Sequence, residues 1–172
     1  MTDRVSVAID DGIADVRLNR PEKMNALDAR MFDAISAVGR DLSSDRGLRV
    51  VVLSGEGRAF CAGLDFGNFQ AMANGKNERP AMDLMTREPG SPANYAQRAG
   101  YIWTELPVPV IAAVHGVAFG GGLQLALGAD IRFAAPDCRL SIMEIKWGLV
   151  PDMSGTQLLR HLLPLDIIKE LT

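Results

Sequence analysis

Two carboxylates late in the sequence have the chemistry needed to move protons. Glu144 follows a short predicted strand, RLSIM, and has apolar neighbours, and Asp152 lies eight residues further on. A carboxyl group among apolar neighbours suits acid–base catalysis near neutral pH. The same residues also fit a solvated glutamate and an aspartate that caps a helix, so spacing alone leaves catalytic and structural roles open.

Glycine-rich segments offer a second kind of chemistry, carried by the backbone. Three consecutive glycines at 120–122 follow a buried apolar strand and are predicted to begin a helix. The N–H groups at a helix N-terminus lack intrahelical partners and can stabilise an oxyanion. A second loop, RAFCAGLD at 58–65, also lies between a strand and a helix and could supply another N–H. Close packing of a helix against a strand is the alternative role for the glycines.

Several other kinds of site lack support. The glycine run has neither a dinucleotide-binding register nor a following Gly-Lys-Ser/Thr. Cys61 and Cys138 form no disulfide framework and no metal-ligand spacing, and Cys61 has no sequence signature of an activated thiol. His115 follows a strand without an accompanying nucleophile pattern and is predicted to be structural. The sequence therefore predicts no metal site.

Composition narrows the function classes further. The 172 residues include 18 Lys and Arg against 21 Asp and Glu, for a net charge of −3. This balance provides no general attraction for nucleic acid or an anionic membrane. Apolar stretches stop short of the roughly 18 residues of a membrane span, and the N-terminus lacks the apolar core of a signal peptide. With only two cysteines, we expect a cytoplasmic setting.

Strand and helix patterns alternate along the chain and predict an α/β fold that positions these groups. Apolar alternation predicts a hairpin over residues 5–18, and β-branched runs at 49–54 and 108–114 predict strands buried on both faces. The polar segment 74–94 is predicted to be a long loop. Short strands are expected at 131–134 and 139–142, and helices over 28–42, from near 65, over 96–106, ending near 128, over 153–162 and over 165–171.

Four segments in series resemble the crotonase, or enoyl-CoA hydratase/isomerase, superfamily. They are LNRPEKMNALD (18–28), RVVVLSGEGRAFCAGLDF (49–66), PVIAAVHGVAFGGGLQLALGADIRFA (109–134) and LSIMEIKWGLVPDMSGTQLL (140–159). The resemblance implies a ββα spiral with two roughly perpendicular sheets surrounded by helices, assembled as a homotrimer or homohexamer. It also implies that residues 1–172 form a single crotonase-like core domain that lacks the family's C-terminal helical segment.

The resemblance also implies a substrate and a site. The substrate would be an acyl-CoA thioester, so coenzyme A arrives with it and no separate cofactor, nucleic acid or membrane partner is expected. The backbone N–H groups of Ala62 and Gly121 would polarise the thioester carbonyl and stabilise an enolate oxyanion. Residues implied to contact the CoA thioester are Lys23, Met24, Ala26, Ala62, Gly63, Leu64, Asp65, Phe66, Gly121, Gly122 and Gln124.

Gln124 departs from the family's pattern, in which typical hydratases carry glutamates at this position and at Glu144. A glutamine cannot exchange protons near neutral pH. The dienoyl-CoA isomerase branch carries an acid where Asp152 stands, although it usually has another acid at the position of Gln124. The resemblance therefore slightly favours double-bond isomerisation by Glu144 and Asp152. Hydration, another enolate reaction such as hydrolysis or decarboxylation, and non-catalytic CoA binding are the alternatives.

Overall fold

A computed structural model describes residues 3–65, 67, 86–87 and 90–172. Its strands are β1 (Val5–Asp10), β2 (Ile13–Leu18), β3 (Val50–Gly55), β4 (Val110–Val114), β5 (Val117–Phe119), β6 (Ile131–Ala134) and β7 (Arg139–Ser141). Its helices are α1 (Ala29–Ser44), α2 (Tyr95–Tyr101), α3 (Gly121–Leu127), α4 (Gly155–Leu159) and α5 (Leu165–Leu171), and 3-10 turns cover Pro21–Lys23, Ile102–Glu105 and Met143–Trp147.

The strands form one sheet of five, in the order β1-β2-β3-β4-β6, and a second sheet that pairs β5 with β7. The hairpin predicted at the start of the chain is confirmed: β1 and β2 pair antiparallel across a turn in which Asp11 and Gly12 have positive φ. The other pairings in both sheets are parallel. Parallel neighbours need crossover connections, which agrees with the predicted alternation of strands and helices.

Helix α1 follows its sequence pattern closely. The Asp28 side chain accepts a hydrogen bond from the Met31 N–H at 2.8 Å, which caps the first turn. On the predicted apolar stripe, Met31, Ile35 and Leu42 are buried and Val38 packs against them from a part-buried position. The helix covers the sheet with this face and ends two residues beyond the predicted boundary.

The interior of β3 differs from its prediction. Val51 and Leu53 are fully buried, whereas Val50 and Val52 are only part-buried. The strand is therefore covered completely on one face and incompletely on the other, so its β-branched run does not reflect equal burial of both sides. Between β2 and β4 it still forms the middle of the large sheet.

Several predicted boundaries shift, and one strand was missed. The helix expected over 96–106 becomes α2 and a following 3-10 turn, and the helix expected over 153–162 shortens to α4. Strand β5 was not predicted, because only three residues separate its preceding glycine from the glycine run. The helix expected from near residue 65 and most of the segment 74–94 lie outside the described residues. Within the described ranges, no helix is long and apolar enough to cross a membrane.

Asn25 connects the segment after β2 to the loop after β3. It is fully buried and has a φ of 54°. Its side-chain oxygen accepts from the Arg20 N–H at 2.8 Å, and its side-chain nitrogen donates to the carbonyls of Ala59 and Phe60 at 2.8 and 3.2 Å. Because buried polar groups are costly unless they are paired, this asparagine fixes the two loops against each other.

Candidate active site

The loop after β3 and the glycine run lie side by side, as the sequence predicted. Cys61 pairs with β5: its N–H donates to the Val117 carbonyl at 3.0 Å, and its carbonyl accepts from the Phe119 N–H at 3.1 Å. Gly63 has a φ of 89°, and a Cβ there would lie 2.5 Å from the Phe119 carbonyl oxygen and 3.5 Å from the Gly121 nitrogen. Only glycine allows this approach and this backbone conformation.

Backbone pairing with the segment before α1 decides which N–H groups of this loop are available. The Leu27 N–H donates to the Gly63 carbonyl at 2.8 Å, and the Asp65 N–H donates to the Leu27 carbonyl at 3.0 Å. In such a parallel bridge the residue between them, Leu64, directs its own N–H to the opposite side. Among the hydrogen bonds of the described residues, none uses the N–H of Leu64.

The family resemblance implied that the Ala62 N–H is an oxyanion donor, but in the structure this N–H is already paired. It donates to the Met24 carbonyl at 2.9 Å, because the same neighbouring segment lies against this loop. The Gly121 N–H, at the first position of α3, has no acceptor in the described part of the chain, as expected for the start of a helix. Each of the two adjacent loops therefore has an unpaired N–H next to the other loop, Leu64 in one and Gly121 in the other.

Glu144 and Gln124 form a buried pair beside the glycine run. Glu144 lies in the 3-10 turn after β7 and is 9% exposed, and Gln124, in the first turn of α3, is 3% exposed. The Gln124 Nε2 donates to Glu144 Oε1 at 2.6 Å, and Gln124 Oε1 accepts from the Gly155 N–H at 2.8 Å. Glu144 Oε2 is buried and has no hydrogen-bond partner in the parts of the chain that are described.

The Glu144 carboxylate lies against the glycine run itself. A Cβ at Gly120 would be 3.2 Å from Glu144 Oε1. Gly120 has φ 51° and ψ −120°, a conformation that L residues avoid. Because residue 120 is a glycine, the Glu144 carboxylate can lie against it, and the next residue, Gly121, carries the unpaired N–H.

The second predicted carboxylate, Asp152, is not part of this buried cluster. Its side chain is exposed and forms no hydrogen bond or ion pair with the residues that the structure describes. It does not cap α4 either: the N-cap is Ser154, whose φ is 78° and whose hydroxyl donates to the Gln97 carbonyl at 3.0 Å. This bond ties the loop that carries Asp152 to α2.

Cys61 and His115, the other residues considered as a nucleophile and a base, have surroundings that indicate structural roles. Cys61 is fully buried, and burial raises the pKa of its thiol to about 12 despite an opposing hydrogen bond from the Gly63 N–H. A thiol with such a pKa is not a nucleophile near neutral pH. The His115 ring contacts the Gly57 carbonyl at 3.0 Å, consistent with its predicted structural role. In the described ranges, no cluster of three or more metal-ligating side chains occurs.

The predicted CoA-contacting segments, 23–26 and 62–65, meet at a cluster of charged side chains. Arg20 lies 2.6 Å from Asp65 and 3.5 Å from Asp28, and all three are mostly buried. Met24 has a φ of 49°, which turns the chain towards this loop. Of the predicted contact residues, Phe66 lies outside the described part of the chain.

These ion pairs lower the pKa of Asp65. Burial alone would raise its pKa, but a hydrogen bond from the Gly67 N–H, the hydrogen bond and charge of Arg20 and the charge of Lys23 outweigh burial. A folded-state pKa below the ordinary value contributes stability above that value and loses it as pH falls through the lowered pKa. The arrangement therefore holds the two segments together most strongly above about pH 4.

We expect Asp65→Asn to lower the free energy of unfolding by about 1–2 kcal/mol at pH 7, because it removes a charged hydrogen bond to Arg20. The difference between the variant and the wild type should shrink as pH falls below about 4, because the unfolded chain takes up a proton at this carboxyl there and the folded protein does so only at its lowered pKa. Urea unfolding at pH 7 and pH 3 measures both quantities. Asp10→Asn, at an exposed site on β1, is the control, and an undiminished difference at pH 3 would contradict the prediction.

Comparison with known proteins agrees with this fold. The family model described as "Enoyl-CoA hydratase/isomerase" matches residues 8–172. The chain is 36% identical to a 1,2-epoxyphenylacetyl-CoA isomerase of Escherichia coli (strain K12) over 151 residues, covering 88% of this chain and 55% of that protein. It is 36% identical to a carnitinyl-CoA dehydratase of Salmonella paratyphi B over 172 residues, covering 99% of this chain and 60% of that protein.

A solved structure shares the fold as well. A Thermobifida fusca YX protein in complex with acetoacetyl-CoA has a TM-score of 0.77 and 30% identity, covering 99% of this chain and 66% of that one. The sheets and helices form the crotonase fold, as predicted. The chain belongs to the enoyl-CoA hydratase/isomerase family. It spans only 55% and 60% of the two curated relatives named above.

Proposed function

We propose that this protein acts on an enoyl-CoA thioester and carries its reaction through an enolate. The observation that supports this most directly is the buried Glu144 carboxylate, which has one unpartnered oxygen and lies beside the glycine run. A base next to unpaired backbone donors can remove a proton from the carbon beside a carbonyl while the donors stabilise the resulting oxyanion.

The two unpaired N–H groups, from Leu64 and Gly121, are the proposed oxyanion donors. They belong to loops that are in direct contact, and rigid pairing with neighbouring strands holds both loops in place. Donors fixed in advance need no rearrangement when charge develops on the thioester oxygen. The Leu64 N–H takes the role that the sequence analysis gave to Ala62, whose N–H already has an acceptor.

Coenzyme A enters as part of the substrate in this proposal. The segments 23–26 and 62–65 are joined by the hydrogen bond from the Ala62 N–H to the Met24 carbonyl and are proposed to contact its pantetheine and adenine groups. The solved relative bound to acetoacetyl-CoA supports a thioester ligand. Microcalorimetry with acetoacetyl-CoA and with free CoA tests this directly, and we expect the thioester to bind more tightly because only it offers a carbonyl to the two donors.

We propose that the reaction is isomerisation of a double bond rather than addition of water. Glu144 would take the proton from one carbon, and Asp152 would act at a second carbon of the same chain. Gln124 cannot serve as a second acid or base, although it contacts Glu144 directly. The E. coli relative is named as an isomerase of an epoxide, so it supports isomerase chemistry on a CoA thioester but not a double-bond shift in particular. The Salmonella relative named as a dehydratase supports hydration as the second candidate.

Product analysis in D₂O distinguishes these reactions. The purified protein is incubated with enoyl-CoA and dienoyl-CoA substrates, and the products are identified by mass spectrometry. Isomerisation gives a product of unchanged composition that carries solvent deuterium, and hydration adds one water. Hydrolysis or decarboxylation releases CoA or carbon dioxide, and tight binding without any turnover would indicate a non-catalytic CoA-binding protein.

Asp152→Asn separates the two proposed proton transfers. We expect it to lower isomerisation by at least about 10-fold, because a positioned acid or base contributes at least this much. Exchange of the substrate's α-proton with D₂O should remain near the wild-type rate, since Glu144 performs that step. Asp166→Asn, on α5, is the matched control. A variant with wild-type isomerisation would remove Asp152 from the mechanism.

A homotrimer or homohexamer remains the proposed assembly. Large apolar side chains are exposed near the later strands and turns, among them Phe133 at 65%, Ile145 at 63% and Val150 at 64%. Exposed apolar groups in one region are typical of surfaces that contact other protein. Light scattering of the purified protein measures its mass in solution, and a mass of one subunit would contradict this assembly.

A further inference from the structure

Gln124 joins two parts of the site through the two ends of one amide. Its Oε1 accepts from the Gly155 N–H at 2.8 Å, and its Nε2 donates to Glu144 Oε1 at 2.6 Å. The Gly155 N–H can only donate, so the amide oxygen must face it and the NH₂ group must face Glu144. The orientation of the amide thus follows from its two partners.

This contact makes the two oxygens of Glu144 unequal. Oε1 is held by the amide of Gln124, whereas Oε2 is buried and has no partner within the described residues. A buried polar atom without a partner is rare and calls for an explanation. The amide NH₂ does not exchange protons with the carboxylate near neutral pH, so proton transfer through Glu144 is restricted to Oε2.

We propose that Gln124 is a positioning residue, which holds Glu144 by Oε1 so that Oε2 is the oxygen that takes up the substrate proton. This inference rests on the proposed function, in which Glu144 is the base. A carboxylate in place of the amide would put two carboxyl oxygens 2.6 Å apart, and such a pair has to share a proton. The amide supplies the same hydrogen-bond length without competing for the proton.

The anchor of the amide can be disturbed without touching the carboxylate. A Cβ at Gly155 would lie 2.7 Å from Gln124 Oε1, closer than the two atoms can approach. Ser154, the residue before it, is bound to the Gln97 carbonyl at 3.0 Å, so the loop cannot easily retreat. Gly155→Ala should therefore displace the Gln124 amide while Glu144 itself is unchanged.

The test measures kcat and KM for Gln124→Met, Gln124→Glu and Gly155→Ala with the substrate that the wild-type protein turns over. Gln124→Met removes the amide that donates to Glu144. Gln124→Glu keeps an acceptor for the Gly155 N–H and introduces a carboxyl that competes for the proton. Gly155→Ala displaces the Gln124 amide. We expect kcat to fall by about 10- to 100-fold in each, because misplacing a catalytic group by about 1 Å costs that much. KM should change by less than about threefold, since Gln124 is not an oxyanion donor.

A double-mutant comparison separates positioning from general damage to the fold. In a Glu144→Gln background, Gln124→Met should cause less than about a threefold further loss, because the base that it positions is gone. Leu125→Val, a change at the neighbouring, fully buried position of α3, should lower the melting temperature and leave kcat unchanged. Circular dichroism confirms that each variant is folded at the assay temperature.

The outcomes distinguish this inference from the proposed function. Wild-type kcat in folded Gln124→Met and Gly155→Ala, or independent losses in the double mutant, would overturn the positioning role alone. Full turnover by Glu144→Gln would instead overturn the proposed function. A low kcat in all three variants with an unchanged KM, together with the non-additive double mutant, supports the positioning role.

Discussion

Replacing Glu144 by glutamine is expected to lower kcat by about 10³-fold, within the range by which a positioned acid or base accelerates proton transfer. The substitution keeps the shape of the side chain, and its carbonyl oxygen can still accept the hydrogen bond from Gln124 Nε2. Burial, packing and the link to Gly155 therefore stay as they are in the wild type. Only the ability to take up a proton is lost.

Two measurements test this expectation. Steady-state turnover of an enoyl-CoA substrate reports the whole reaction, and exchange of the α-proton with D₂O reports the first proton transfer by itself. Both should fall together in Glu144→Gln. Glu170→Gln, an exposed position on α5, makes the same chemical change away from the site and should keep wild-type rates. A Glu144→Gln variant that retains more than about a tenth of the wild-type kcat would show that another group is the base.

Much of this site is visible in the sequence because it depends on local patterns. The glycine run and the loop that contains Gly63 each follow a strand, which predicts that both lie at the carboxyl ends of strands. In the structure these strands belong to different sheets, and the pairing of Cys61 with β5 brings the loops together. Glu144 stands out as a carboxyl group after an apolar strand. The family resemblance adds the spacing of all these elements, and the family match confirms it.

The direction of each backbone N–H could not be predicted in the same way. Ala62 and Leu64 are two positions apart in one loop, and nothing in their side chains indicates which N–H is already paired. The answer depends on Met24 and Leu27, which lie in another segment and form a short ladder with this loop. Which backbone N–H of the loop is free to bind an oxyanion therefore depends on tertiary contacts. A sequence motif locates that N–H only to within one or two residues.

The two contacts of the Gln124 side chain could not be predicted, for a related reason. The sequence shows that a glutamine stands where an acid is usual, but not what its amide contacts. Glu144 is 20 positions away and Gly155 is 31 positions away. They meet only because β7 pairs with β5, which places the turn after β7 beside the start of α3. Because strand β5 was not predicted, the sequence pattern could not indicate that Gln124 contacts Glu144.

Gly121→Pro is expected to lower kcat/KM by at least about 10²-fold, because removing one oxyanion donor costs 10²–10³-fold in well-studied enzymes. Proline is tolerated at the first position of a helix, where the N–H has no intrahelical acceptor. Gly121 occupies this position in α3, and its N–H is unpaired. The substitution therefore removes the proposed donor, and the ring also fills the place of its hydrogen, while the rest of the helix keeps its hydrogen bonds.

Gly121→Ala is the matched control that makes this result interpretable. Both substitutions add a Cβ that meets Leu27 Cδ1 at 2.9 Å and Met153 Sδ at 3.0 Å, the ends of flexible side chains that can move aside. Only proline also removes the N–H. We expect Gly121→Ala to lose less than about 10-fold in kcat/KM, a cost of packing alone, with melting temperatures of the two variants within a few degrees. Equal losses of activity in the two folded variants would show that the Gly121 N–H does not stabilise the transition state, and the oxyanion site would then have to be sought elsewhere along the start of α3.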